Sequence, residues 1–202
     1  MQNTTTTLDA LQPPTYLITG GTGSFGSAFA SRLLADASGP RVRILSLDEY
    51  KQDVMTSACP SGPRLTYIIG DVRDGPQLIT AADSCQVIVH AAALKIVRQG
   101  EQHPQEFIKT NIYGTTNVCQ AAIANHVPKS LFVSSDKAVQ PINHYGKSKA
   151  VSENIFIESN RLGVSRSCRF SVVRGGNVWG SRGSVLDLWR QAKAEGRPIE
   201  VT

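Results

Sequence analysis

Tyr16-Leu-Ile-Thr-Gly-Gly-Thr-Gly-Ser-Phe-Gly26 is the stretch from which the fold follows. A short apolar run, Tyr16–Thr19, breaks into glycines and gives way to a helix-period stretch over Phe25–Ala37. Gly21-x-Gly23-x-x-Gly26 has the spacing of a turn whose backbone approaches a pyrophosphate, and Gly20-x-x-Gly23-x-x-Gly26 is a second, overlapping register. The first N–H groups of the following helix lack intrahelical partners and carry partial positive charge, which suits phosphates. Glycine-rich turns follow strands in many α/β proteins. Strand, spacing and helix together point to a dinucleotide, with Gly20, Gly23, Ser24, Phe25 and Gly26 as its cradle.

The same alternation continues along the chain. Strands are expected at Val42–Leu47, Leu65–Ile69, Val87–Ala91, Leu131–Ser134 and Arg169–Val173. Helices are expected over Glu49–Ser57, Gly75–Ala82, Pro104–Asn125, Tyr145–Leu162 and Val185–Glu195. Short strands joined by helical crossovers require a parallel sheet covered on both faces, and a run as apolar as Val87-Ile-Val-His-Ala91 suits such burial. The expected class is α/β, a doubly wound parallel sheet (Rossmann fold), over residues 15–202. Residues 1–14 form a polar tail without a basic start or an apolar core, unlike a secretory signal.

Bulk properties narrow the function. With 41% hydrophobic and 18% charged residues, the chain has the composition of a soluble globular domain. The 21 basic and 16 acidic residues are scattered without a basic run, so nucleic acid is not an expected partner. No stretch approaches the ~20 apolar residues of a membrane span. Cys59, Cys85, Cys119 and Cys168 lie far apart with no Cys-x-x-Cys spacing, as expected of reduced thiols in a cytoplasmic protein, and no metal is expected.

Further residues group around the expected cleft. An acidic residue about 20 positions beyond the glycines holds a ribose 2′-hydroxyl and favours NAD. Here the second strand carries Ser46 at the ribose-facing position, and Ser46 with Lys51 could accept a 2′-phosphate, which favours NADP with NAD possible. Asp48 suits a helix cap. Asp71-Val72 is placed to bracket an adenine, although Asp71 could equally cap a helix. Tyr145 and Lys149 fall one helical turn apart on one face, and an ammonium beside a phenol favours the phenolate that takes a proton from a hydroxyl. Ser135-Asp136-Lys137 follows the fifth strand, where parallel sheets bind ligands; a solvated loop ion pair is the alternative.

Several stretches carry a resemblance: Gly70-Asp-Val-Arg-Asp74, His90-Ala-Ala-Ala-Leu-Lys95, Ile108-Lys-Thr-Asn111, Ser134-Ser-Asp-Lys-Ala138, Pro141-Ile-Asn-His-Tyr-Gly146 and Gly180-Ser-Arg-Gly-Ser-Val185. With the glycine turn and Tyr145-x-x-x-Lys149, they resemble the extended short-chain dehydrogenase/reductases, and within them the inverting UDP-N-acetylglucosamine 4,6-dehydratases of polysaccharide biosynthesis type. The resemblance implies transient oxidation at C4 of the sugar, C5 deprotonation, loss of the C6 hydroxyl and hydride return to C6. It implies that Tyr145 with Lys149 takes the 4-hydroxyl proton, that Lys137 is the C5 base and that Asp136 protonates the leaving hydroxyl. Ser135, Lys95, Asn177 and Arg182 would line the substrate and nicotinamide ends, with Ala91 and Ala92 beside the cofactor. It further implies a homo-oligomer using a UDP-sugar. Family members run considerably longer, so the C-terminal substrate lid is expected to be largely missing. A related nucleotide-sugar epimerase or reductase would share the Tyr/Lys pair without needing Asp136-Lys137, and a non-catalytic NAD(P)-binding module remains a third reading.

Overall fold

A computed structural model describes residues 13–58, 62–164, 167–181 and 184–199. Six strands form one parallel sheet: β1 (Thr15–Thr19), β2 (Arg41–Ser46), β3 (Leu65–Ile69), β4 (Val87–His90), β5 (Lys129–Ser135) and β6 (Arg169–Gly175). Their order is β3-β2-β1-β4-β5-β6. The order reverses between β1 and β4, which opens a crevice at the carboxyl ends where such folds take ligands.

Strand alternation divides the interior into two cores, because successive side chains point to opposite faces. Leu17, Leu45, Ile88 and Phe132 face one core. It is closed by α3 (Gly75–Ala81), α6 (Gly114–Ala124) and α7 (His144–Gly163), whose mutual contacts are extensive. Ile18, Ile44 and Val89 face the other core, with Ala30 and Leu34 of α1 (Ser24–Leu34) and Met55 of α2 (Glu49–Ala58). Each fully buried Leu or Ile contributes about 1.5–3 kcal/mol. The remaining helices are α4 (Val97–Gln102), α5 (Pro104–Phe107) and α8 (Val185–Ala194).

Two expectations are corrected. The helix expected from Pro104 to Asn125 is interrupted: a π-helical turn, Ile108–Tyr113, joins α5 to α6. The carbonyl of Asn111 accepts from the hydroxyls of Thr115 (2.5 Å) and Ser152 (2.7 Å), so side chains take up the acceptor that a regular helix would use. The α4 helix was not expected at all. Gly100 in it lies against the Phe107 ring, and Glu101 accepts from the His144 backbone N–H at 2.9 Å, which ties α4 to the start of α7. Asp74, not Asp71, caps α3 by accepting from the Gln77 N–H at 3.0 Å. The tail expected over residues 1–14 lies almost wholly outside the described residues, and Cys59 and Arg182 lie outside them as well.

Candidate active site

A cleft of about 710 Å³ opens at the carboxyl ends of β1 to β4. Its lining includes Gly20, Gly23, Ser46, Lys51, Asp71, Val72, Ala91 and Ala92, all named from the sequence. Gly20 sits at φ +67°, and a Cβ there would come within 2.7 Å of the Ala92 backbone, so only glycine allows the first strand's turn to pass so close to β4. Gly23 opens α1 with no side chain capping the helix. The first N–H groups of that helix, which have no acceptor one turn back in the helix, together with the glycine backbone, fit a diphosphate. Ser24, Phe25 and Gly26 form the first turn of α1, and Phe25 stacks on Phe29 with ring centroids 5.7 Å apart.

The Ser46 and Asp71 side of the cleft departs from the simplest expectation. The Ser46 hydroxyl is engaged with Thr22 of the glycine turn at 2.7 Å. Asp48 caps the start of α2 through the Lys51 N–H at 3.0 Å, and its carboxylate pairs with the Lys51 ammonium. Asp71 accepts from Arg73 Nε at 2.7 Å, and that guanidinium reaches Glu106 at 3.0 Å. Burial opposes ionisation of the Asp71 carboxyl, yet the Arg73 guanidinium and backbone N–H hold it below the ordinary carboxylate range. Thr22, Gly70, Arg73, Leu94, Glu106 and Thr110 also line the cleft and were not singled out from the sequence. Of these, only Glu106 lies outside the stretches quoted from the sequence.

The second half of the site lies beyond β5. Ser135 ends the strand, and Asp136-Lys137-Ala138 makes one 3₁₀ turn. The Ser135 hydroxyl donates to Asp136 Oδ1 at 2.9 Å and accepts from the Lys137 backbone N–H at 3.2 Å. Lys137 Nζ donates to Asp136 Oδ1 at 3.1 Å and to Asn177 Oδ1 at 3.0 Å. Ser135 is opposite Gly175 in the β5–β6 register, which explains how Asn177 arrives there. The Ser135 hydroxyl and the Lys137 ammonium hold the Asp136 carboxyl below the usual range. Lys95 is exposed in the loop after β4.

The α7 helix starts with Asn143, which caps it through the Gly146 N–H at 2.8 Å. A Cβ at Gly146 would overlap the Lys137 carbonyl oxygen, so this glycine lets the helix seat directly on the Asp136-Lys137 turn. Tyr145 is buried in the first turn of α7. Lys149 is 2% exposed; its Nζ donates to the Val133 carbonyl at 2.8 Å and lies 3.9 Å from the Phe132 ring centroid. Burial lowers the Lys149 pKa to about 7, against an opposing pull from Glu153. A larger, shallower depression of about 930 Å³ between α7 and β6 is lined by the Glu153–Arg174 ion pair and apolar groups, away from the glycine turn. It is not the candidate site.

Cys85 and Cys119 are buried free thiols, pushed up to about 11 and about 12 by burial, and Cys168 is buried as well. They are core residues. Among the described residues no cluster of His, Cys, Asp and Glu suits a metal ion, and no helix is long and apolar enough to cross a membrane.

Strand order, glycine turn and cleft define a Rossmann-type fold of the kind found in dehydratases and epimerases of nucleotide sugars. Residues 16–202 match the family described as polysaccharide biosynthesis protein, and the chain belongs to that family. It is 43% identical over 180 residues to the UDP-N-acetylglucosamine 4,6-dehydratase (inverting) of Campylobacter jejuni, covering 89% of this chain and 54% of that protein. It is 44% identical over 191 residues to the UDP-glucose 4-epimerase of Rickettsia rickettsii, covering 93% and 56%. The chain thus spans about half the length of the curated relatives it matches. Among solved structures, Pen from Bacillus thuringiensis superposes with a TM-score of 0.89 at 37% identity, covering 95% of this chain and 60% of that one. DesIV, the dTDP-glucose 4,6-dehydratase of Streptomyces venezuelae solved with NAD bound, gives 0.80 at 25% identity, covering 90% and 62%.

Proposed function

We propose that this chain carries the cofactor-binding and catalytic residues of an inverting nucleotide-sugar 4,6-dehydratase that acts on UDP-N-acetylglucosamine. The observation that supports it is the seating of the Tyr145/Lys149 helix, through Gly146, on the Asp136-Lys137 turn at the carboxyl end of β5. A nicotinamide dinucleotide held in the cleft would supply the hydride acceptor for C4 and the hydride donor for C6. Gly20, Gly23, Ser24, Phe25 and Gly26 would hold its phosphates, Asp71 and Val72 its adenine, and Ala91, Ala92 and Lys149 its nicotinamide side. Ser46 and Lys51 favour NADP over NAD.

Tyr145 takes the proton of the sugar 4-hydroxyl, and Lys149, one helical turn further along the same face of α7, is its assigned partner. The 4-ketone acidifies the C5 proton, which Lys137 Nζ removes, while Asp136 protonates the leaving C6 hydroxyl as water. The base thereby gains one proton and the acid loses one, leaving an ammonium beside a carboxylate. That is the ion pair the turn holds, Lys137 Nζ and Asp136 Oδ1 at 3.1 Å. Passing one proton back along this hydrogen bond regenerates neutral amine and carboxylic acid. Once C6 has received the hydride, the enolate takes a solvent proton at C5, and Tyr145 returns to solvent the proton it took from the 4-hydroxyl, so the net loss is one water. Asn177 and Ser135 keep the pair aligned, and Lys95 is assigned to the sugar end, a role the resemblance alone gives to Arg182 as well.

The epimerase reading rests on relatives of equal identity, yet an epimerase has no use for a C5 base paired with a C6 acid. Incubation with NADP and UDP-N-acetylglucosamine in deuterated water, followed by NMR, separates the readings. Deuterium at C5 with a new 6-methyl signal is expected. Altered C4 configuration alone would favour the epimerase, and bound cofactor without turnover would favour a binding module. Lys137→Ala should abolish the 6-methyl signal while cofactor still binds; dehydration at the native rate would refute the role given to Lys137.

A further inference from the structure

His90 is fully buried, ionisable, and absent from the chemistry above. It ends β4 in register with Thr19 of β1 on one side and Phe132 of β5 on the other. Its Nδ1 lies 2.7 Å from the Thr19 hydroxyl and its Nε2 lies 3.0 Å from the Thr115 hydroxyl of α6. The Thr115 hydroxyl has one proton and donates it to the Asn111 carbonyl at 2.5 Å. It can therefore only accept from His90, so the imidazole proton is on Nε2 and the bare Nδ1 accepts from Thr19. The Thr19 oxygen in turn accepts, at 3.5 Å, from the backbone N–H of Ala92 in the cleft wall.

Every donor in this buried row points the same way: Ala92 N–H to Thr19, Thr19 to His90, His90 to Thr115, Thr115 to Asn111. At Asn111 the row meets α7, whose Ser152 donates to the same carbonyl at 2.7 Å. A parallel aromatic path runs beside it: the His90 ring stacks on Phe132 with centroids 5.2 Å apart, and Phe132 carries the Lys149 ammonium on its ring. We propose that His90, held as the neutral Nε2–H tautomer, is a positioning residue that fixes the Ala91–Ala92 cleft wall relative to the helix carrying Lys149. It rests on the reading that this cleft holds a nicotinamide dinucleotide served by Lys149. Chains of hydrogen bonds oriented one way reinforce one another in a low dielectric. An imidazolium would present an N–H to Thr19 in place of an acceptor and break the chain at its centre. Burial and the nearby Lys149 charge oppose that form, pushing the His90 pKa down to about 3.

Two measurements on the 202-residue chain test this. Nitrogen-15 NMR of the histidine-labelled wild type should show one of the four histidines as a fixed Nε2–H tautomer that does not titrate between pH 5 and 8. Loss of that signal in His90→Phe would assign it; an Nδ1–H tautomer, or titration in that range, would overturn the proposal without any variant having to fold. NADPH titration by fluorescence then tests the coupling. His90→Phe keeps a stacked ring and removes both hydrogen bonds, and should bind about tenfold more weakly, whereas His90→Gln, which can donate and accept, should recover most of the loss. Adding Thr19→Val to His90→Phe should cost little more, because the two act as one row. Unchanged affinity with a lowered Tm, or additive losses, would reduce His90 to packing and refute the proposal. If the wild-type chain binds neither NADPH nor NADH, the cofactor reading itself fails, and the function given to His90 falls with it whatever its tautomer.

Discussion

Replacing Lys149 by Met removes a buried ammonium while keeping an unbranched side chain over the Phe132 ring, where a thioether packs well. The lysine has an ordinary pKa of 10.5 and about 7 in the fold. Between those values the unfolded chain binds a proton that the folded chain lacks, so stability rises with pH through the window. Below about pH 7 both states are protonated and the full cost of burying the charge is present; above about 10.5 both are neutral and it is gone. At about 1.36 kcal/mol per pH unit, the cost has a ceiling on the order of 5 kcal/mol. The Val133 carbonyl loses a hydrogen bond in the variant, worth about 1 kcal/mol, but this offset does not change with pH. Urea unfolding of both proteins at pH 6, 8 and 10 gives the difference directly. Wild type should gain on Lys149→Met between pH 7 and 10, with a slope of up to about 1.4 kcal/mol per pH unit. Parallel stability curves across that range would refute the claim that burial depresses Lys149.

Gly146→Ala should destabilise by about 1–3 kcal/mol and slow dehydration, since the new methyl displaces the Lys137 backbone; thermal unfolding and turnover measured together check it, and an unchanged rate would argue against seating of α7 on the turn. Lys51→Met should weaken NADPH more than NADH in fluorescence titration, and equal losses would remove the 2′-phosphate contact. Asp74→Ala should cost about 1 kcal/mol in urea unfolding by uncapping α3 while leaving NADPH affinity unchanged.

The strands were legible because a parallel sheet buried on both faces requires short, nearly continuous apolar runs, and the chain supplies six of them. The glycine turn was legible because close backbone approach, as of Gly20 to Ala92, imposes residue type at fixed spacing. What escaped was set by tertiary contacts. Val97-Arg-Gln-Gly-Glu-Gln102 has one apolar side chain and a glycine, and its helix is held by Phe107 and His144. Asn177 meets Lys137 only through the β5–β6 register. His90 ends a run that scans as a plain apolar strand, so its two hydroxyl partners, contributed by β1 and α6, leave no local trace. Ser46 lines the cleft, but its bond to Thr22 could not be read from position alone.

The widened turn at Ile108–Tyr113 has a cost for anyone seeking a sturdier protein. Deleting one residue there would restore regular backbone pairing and lengthen the helix, a change that propensity alone would favour. Each residue of an α-helix advances about 100° around its axis, so the deletion would swing Thr115 away from the imidazole and Asn117 away from the Val72 carbonyl it now reaches at 3.0 Å. The irregularity works as a spacer, phasing the half of the helix that closes the core against the half that meets the cleft.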